Sequence, residues 1–124
     1  MGGVEVAERP AAEILRAAKH RISDPDRWTQ CAFARTGGDG GNPIGPSSGS
    51  ADCWCARGAI YAEVAPSAPS SPLAREAEGF LRDAAPPPPH DEAEPIAYLN
   101  DEGTHDEVLD LFDRAIALAG AEQT

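Results

Sequence analysis

Proline decides how this chain can be divided. Twelve of its 124 residues are proline. Proline lacks an N–H and disfavours helix in the residue before it, so each one marks a boundary more readily than an interior. Pro10 suits the first turn of a helix, and Asp24-Pro25 stops that helix. The stretches PSAPSSP, near 66–72, and PPPPHDEAEP, near 86–95, read as spacers, the second stiff and polyproline-like. The pieces left between these breaks are the size of ordinary short helices and strands. A chain of this length has room for one domain, large enough to bury one core without staples.

Within those pieces the apolar spacing is mostly helical. Ile14, Leu15, Ala18 and Ile22 predict a first helix from Pro10 to Ile22, with Arg16, Lys19 and Arg21 on its wet face. Trp28–Arg35 fits neither period cleanly and reads as a strand. It leads into TGGDGGNPIGPSSGS, where Asp39-Gly40 suggests a loose hairpin with Ile44 on the returning arm. Ser50 as N-cap and Asp52 in the first turn predict a second helix through about Val64. Trp54, Gly58, Tyr61 and Ala65 would share one stripe of it. Gly58 lowers helix propensity by roughly 1 kcal/mol relative to alanine, which points to a close approach by another backbone.

Ser71-Pro72 opens a third helix, with Leu73, Ala77, Phe80, Leu81 and Ala84 on one face. Ile96–Leu99 forms one or two further turns. The last helix is the best specified: Thr104 and Glu107 make a capping box, and Gly120 marks its C-terminal end. Val108, Leu111, Phe112, Ala115 and Ala119 form its core stripe. Asp110 and Arg114 have the spacing to pair outside. Its wide apolar face predicts a central position among the helices.

Ten Lys+Arg stand against 21 Asp+Glu, a formal charge of −11. That balance argues against direct nucleic-acid binding or an anionic membrane, and any partner attracted by charge would be basic. No apolar run approaches the ~20 residues of a membrane span, and the opening MGGVEVAERP has neither a basic nor an apolar signal region. Gly2 is followed by Val6 where myristoylation needs Ser or Thr. Three cysteines without framework spacing suit a reducing cytoplasm.

The order of landmarks is Trp28…Ala32-Phe33-Ala34-Arg35, then Trp54-Cys55-Ala56-Arg57-Gly58-Ala59-Ile60-Tyr61, then Asn100-Asp101…Thr104-His105…Val108…Leu111-Phe112-Asp113-Arg114-Ala115-Ile116. Over roughly residues 12–119 this resembles a small bacterial and phage-encoded domain family of unknown function. The resemblance implies a fold and names no activity. It leads one to expect glycine after Gln30, where this chain has Cys31.

Four sites can be weighed from residue types. Cys53 or Cys55 could be a nucleophile near a helix N-terminus, where the dipole favours thiolate. His105 would then be its base and Asn100 or Asp101 the orienting group. Against this, a free cysteine is usually a packed apolar residue. Trp28, Trp54, Tyr61 and Tyr98 could line a ligand pocket with Asn100, Asp101 and His105 at its rim, or could simply be core aromatics with satisfied polar tips. A metal set of Cys31, Cys53, Cys55, His90 and His105 lacks the paired spacing zinc needs, so neither metal nor cofactor is expected. Asp106, Asp110 and Asp113 could form one edge of a nucleic-acid mimic, though most acidic faces are merely solvated.

The expectation is therefore a mainly α protein: a compact bundle of about four helices, with a short β-hairpin or irregular loop between the first and second. A leader (1–9) would precede the domain (10–120) and a tail (121–124) would follow it. The expected core is Leu15, Ile22, Cys55, Phe80, Leu81, Val108, Leu111, Phe112 and Ile116. The expected role is a small cytoplasmic binding or accessory module, acting through a protein partner or a small ligand at a face bearing Trp54, Asn100 and His105, and able to form a homodimer. A thiol-dependent enzyme is the alternative, and an acidic mimic the third reading.

Overall fold

The computed structural model describes residues 10–64 and 71–122. The expected leader, most of the 66–72 spacer and residues 123–124 lie outside the described residues. The first helix, α1 (Ala11–Arg21), follows Pro10 as its cap and ends at Ile22, just before the Asp24-Pro25 break. There Asp24 accepts a hydrogen bond from the Asp26 N–H and closes a single 3-10 turn over Pro25–Arg27.

Three short strands come next, β1 (Ala34–Thr36), β2 (Asn42–Pro43) and β3 (Cys53–Trp54). They form one antiparallel sheet in the order β2-β1-β3. Only the end of the predicted Trp28–Arg35 strand is strand, and Ile44 does return beside it, its N–H donating to the Ala34 carbonyl at 3.0 Å. The turn between the arms contains Gly37, Gly38 and Gly40, all at positive φ.

The second helix, α2 (Ala56–Glu63), starts later than Ser50 and Asp52 suggested. Asp52 instead turns back to the hairpin, accepting the N–H groups of Gly37 and Gly38, both at 2.9 Å. Those bonds hold its carboxyl below the usual range. The same chemistry that makes aspartate a helix cap makes it a loop cap. Trp54 is consequently a strand residue. Cys55 is the N-cap, its sulfur accepting from the Gly58 N–H at 3.3 Å.

Helices α3 (Pro72–Ala84), α4 (Pro95–Glu102) and α5 (His105–Glu122) complete the fold. Ser71 caps α3 through the Leu73 and Ala74 N–H groups. The predicted capping box of α5 is present in both directions: Thr104 N–H donates to Glu107 Oε1 at 2.8 Å, and Glu107 N–H to Thr104 Oγ1 at 3.1 Å. Helix α5 runs on through Gly120 rather than stopping there. No Asp110–Arg114 ion pair forms among the described residues; Arg114 instead reaches the Ala84 carbonyl at the end of α3.

Leu15, Ile22, Cys55, Leu81, Val108, Leu111 and Phe112 are buried as expected, joined by Ile14, Ile60 and Ile96. Phe80 and Ile116 pack half-buried on that core. Helix α5 shares the central place with α1. It packs on α1, α3 and α4, while α2 lies against α1, α3 and α4.

Gly58 sits where the sequence placed a close approach. A Cβ there would collide with the carbonyl oxygen of Phe33, whose oxygen also accepts the Cys55 N–H. Propensity alone would have Gly58→Ala gain about 1 kcal/mol. Backbone cannot retreat as a side chain can, so urea denaturation of Gly58→Ala is expected to show a loss of about 2 kcal/mol or more.

Candidate functional site

The polar groups singled out in the sequence gather at the C-terminal end of α4. Glu94 caps that helix through the Ala97 N–H at 2.8 Å, and Pro95 fixes its first turn. One and a half turns later Asn100 is carried into the interior, only 2 % exposed. Its Oδ1 accepts from the indole N–H of Trp28 at 2.8 Å and from the Ala56 N–H at 3.0 Å. Its Nδ2 donates to the Thr29 carbonyl at 3.0 Å and to Asp101 Oδ1 at 3.1 Å. An amide side chain offers two acceptor and two donor positions. Asn100 therefore has none left for a ligand.

The segment before β1 is clamped to the same helix end. Gln30 Nε2 lies within hydrogen-bond distance of the Asn100, Asp101 and Gly103 carbonyls at 3.0–3.3 Å, groups that would otherwise lack helical partners. Asp101 Oδ1 accepts the Cys31 N–H at 2.8 Å. Cys31 has φ +66°, the left-handed region that glycine occupies without penalty. That backbone conformation is a physical reason for glycine at this place. Arg35 stiffens the arrangement from behind, donating to Thr29 Oγ1, the Gly41 carbonyl and the Gln30 carbonyl. Neither Gln30 nor Arg35 was a sequence candidate: Gln30 caps an element distant in sequence, Arg35 bonds irregular loop groups five or six residues away, and neither kind of contact leaves a periodic mark.

The two candidate cysteines are not in a thiolate-favouring position. Cys53 is buried in β3 with its Sγ 3.9 Å from the Arg35 carbonyl, and burial pushes its thiol up. Cys55 is at a helix N-terminus, but burial outweighs the N–H groups there and raises it to about 11. No hydrogen bond joins either cysteine to His105 among the described residues. The His105 ring contacts Trp28, centroids 5.4 Å apart. Its Nε2 is 2.6 Å from the Ile22 carbonyl. A carbonyl only accepts, so Nε2 carries the proton and closes the end of α1.

The predicted aromatic pocket is dispersed. Trp54 is 5 % exposed, donates its indole N–H to the Pro46 carbonyl at 3.0 Å and is covered by the Arg21 guanidinium. Tyr61 belongs to a triad with buried Glu78 and half-buried Arg57: Arg57 Nε and the Tyr61 hydroxyl both donate to Glu78 Oε2, at 2.7 and 2.8 Å. Tyr98 is half-buried and lines a separate depression with the prolines at 86–89. Among the described residues no group of three His, Cys, Asp or Glu side chains is arranged to hold a metal ion, and no helix is long and apolar enough to cross a membrane.

What the structure does open is a cleft of about 250 Å³ between the Cys31–Phe33 segment, the start of α2 and the side of α4. Cys31, Ala32 and Phe33 form one wall, Ile96, Ala97 and Asp101 the other, with Cys55, Arg57 and Asn100 also lining it. Most of the lining is apolar. Phe33 is 43 % exposed. Ligand pockets for drug-sized molecules start near 300 Å³, so the cleft suits one side chain or a fragment. Of the residues weighed from sequence, Cys31, Cys55, Asn100 and Asp101 line it. Trp28, Trp54, Tyr61, Tyr98, Cys53 and His105 do not line it.

Residues 6–118 match the sequence pattern of a family of unknown function, DUF6197, and the chain belongs to that family. No curated protein and no solved structure matches the chain.

Three expectations follow from this geometry. Asn100→Ala strands the Trp28 indole N–H, the Ala56 N–H and the Thr29 carbonyl, and should lower unfolding free energy by about 3 kcal/mol, read by urea denaturation. Folded Cys55 keeps its proton to about pH 11, against 9 for an unperturbed thiol. Its contribution to stability is thus complete below pH 9 and lost as pH rises through 11. At pH 8 iodoacetamide should modify exposed Cys31 and spare Cys53 and Cys55 until the protein is unfolded, as peptide mass mapping would show.

Proposed function

We propose that this protein is a binding module that receives an apolar side chain of a protein partner, or a small ligand of that size, in the cleft between the Cys31–Phe33 segment and α4. The observation that carries this reading is the pairing of an apolar hollow with an exposed phenylalanine. Phe33 still exposes 43 % of its surface, so an occupant that covered the remainder would gain on the order of 1 kcal/mol from this ring alone. The walls are also fixed beforehand: the Asn100 bonds, the Gln30 clamp and the Gly58–Phe33 approach set their separation. A preformed site avoids much of the ordering cost of binding.

The binding face proposed is not the one the sequence suggested. Trp54 and Asn100 have almost no accessible surface, so neither offers a ligand much to touch. The thiol-enzyme reading draws on Cys55, which does face the cleft, but a thiol raised to about 11 is a poor nucleophile near neutral pH. Asp113 on the outside of α5 is held by Lys19 at 2.7 Å, and Glu107 is engaged in its cap, which breaks up a phosphate-like acidic row. Three free cysteines suit a reducing compartment, and the cytoplasm is the proposed location.

Fragment screening by two-dimensional NMR tests the site without a known ligand. Small apolar fragments such as indole and toluene should shift resonances of Ala32, Phe33, Ile96 and Ala97 together, and Phe33→Ala should weaken them several-fold. Shifts confined to the Trp28–His105 surface, or none at all, would refute the cleft.

A further inference from the structure

The cleft has a charged edge on one side only. Arg57 lines it, but its guanidinium is bound by Glu78 at 2.7 Å and lies near the Tyr61 hydroxyl at 3.1 Å. The Arg57 charge is therefore balanced within the protein. Opposite it, Asp101 accepts N–H groups from Cys31 and Asn100 and makes no ion pair among the described residues. Ala97 and Asp101 also line a second, wider depression around the outer side of α4, together with His90, Glu94, Tyr98 and Glu102. Glu94 is paired with Arg82 at 2.8 Å. Glu102 is exposed and makes no ion pair among the described residues. An occupant would thus meet an apolar socket and, directly beside it, two carboxylates without cations, on a chain of charge −11.

We propose that the occupant is a basic segment of a protein partner: one apolar side chain fills the socket while flanking Lys or Arg side chains lie against Asp101 and Glu102. The inference rests on the cleft reading and deepens it by naming the chemistry of the partner. An anionic ligand is the wrong complement, because the one cation in the cleft is already neutralised and the neighbouring surface repels it. The apolar anchor supplies affinity, and the carboxylates supply charge selection and salt dependence.

Fluorescence anisotropy tests this with a labelled pentapeptide of one leucine between two arginine pairs, a version with alanine for leucine, and one with glutamates for the arginines. The leucine peptide should bind wild-type protein and weaken as salt rises. Binding should fall about tenfold with alanine, the scale of losing most of one buried leucine, and vanish with the glutamates. Asp101→Asn keeps the oxygen that accepts the Cys31 N–H while removing the charge, and should weaken the leucine peptide about threefold, as should exposed Glu102→Gln. Equal binding of the leucine and alanine peptides, or no change in either variant, would overturn the proposal, since the attraction would then be general electrostatics. Fragments that enter the cleft while the leucine peptide fails to bind would overturn this inference and leave the cleft reading standing. Fragments that miss the cleft would remove both.

Discussion

A single buried amide holds the functional end of this protein together. Asn100 joins the end of α4 to the start of α2, to the Trp28 indole and to the backbone at Thr29. Taking an amide out of water is costly unless every bond is replaced, and here all four positions are filled. A fully satisfied polar group in an apolar interior specifies geometry more sharply than a hydrophobic contact, because displacement strands several partners at once. The same end of α4 carries the Gln30 clamp and the Asp101 bond to Cys31. The position of the loop bearing Phe33 is thus determined by α4.

The cleft is a consequence of that arrangement. Its far wall is α4, its near wall is the loop α4 holds, and its floor is the N-terminus of α2 where Phe33 O meets Gly58. Electrostatics then divides the lining. Arg57, Tyr61 and Glu78 close on one another, and the Arg57 guanidinium also lies over the Phe33 ring, 5.4 Å from its centroid, while Phe33 stays 43 % exposed. Asp101 is left as the unneutralised charge at the opposite lip. Cys55 supplies shape: a small, protonated sulfur that caps a helix and contacts the hollow.

Much of the scaffold was legible because it rests on local chemistry. The capping box at Thr104 and Glu107, the serine-proline start at Ser71-Pro72 and the stop at Asp24-Pro25 depend on residues within one helical turn of each other. Gly58 was readable for a different reason: a residue so unfavourable in a helix needs a steric cause, and Phe33 O is that cause. Where two local outcomes share one chemistry, the reading failed. Ser50 and Asp52 resemble a helix start, yet Asp52 caps glycine N–H groups in the hairpin, and the helix begins five residues after Ser50 with a cysteine cap. Trp54 moved with that boundary from a helix stripe into a strand. At the site, Cys31, Cys55, Asn100 and Asp101 were named from residue type, while Phe33, Gln30 and Arg35 were missed. Gln30 depends on partners some seventy residues distant in sequence, Phe33 on the approach of Gly58, and Arg35 on irregular loop groups five or six residues away, and no spacing rule exists for any of these. His105 was read as a base or a pocket-rim residue; its partner is the far end of α1.

Native-state hydrogen exchange at the two N–H groups that Asn100 Oδ1 accepts measures this coupling most directly. If Asn100 ties these elements into one cooperative unit, the Trp28 indole N–H and the Ala56 amide exchange only through global unfolding, with opening free energies equal to each other and to that of Phe112 in the core. Exchange of either proton through a separate, lower-energy opening, while the core amides stay protected, would contradict the account.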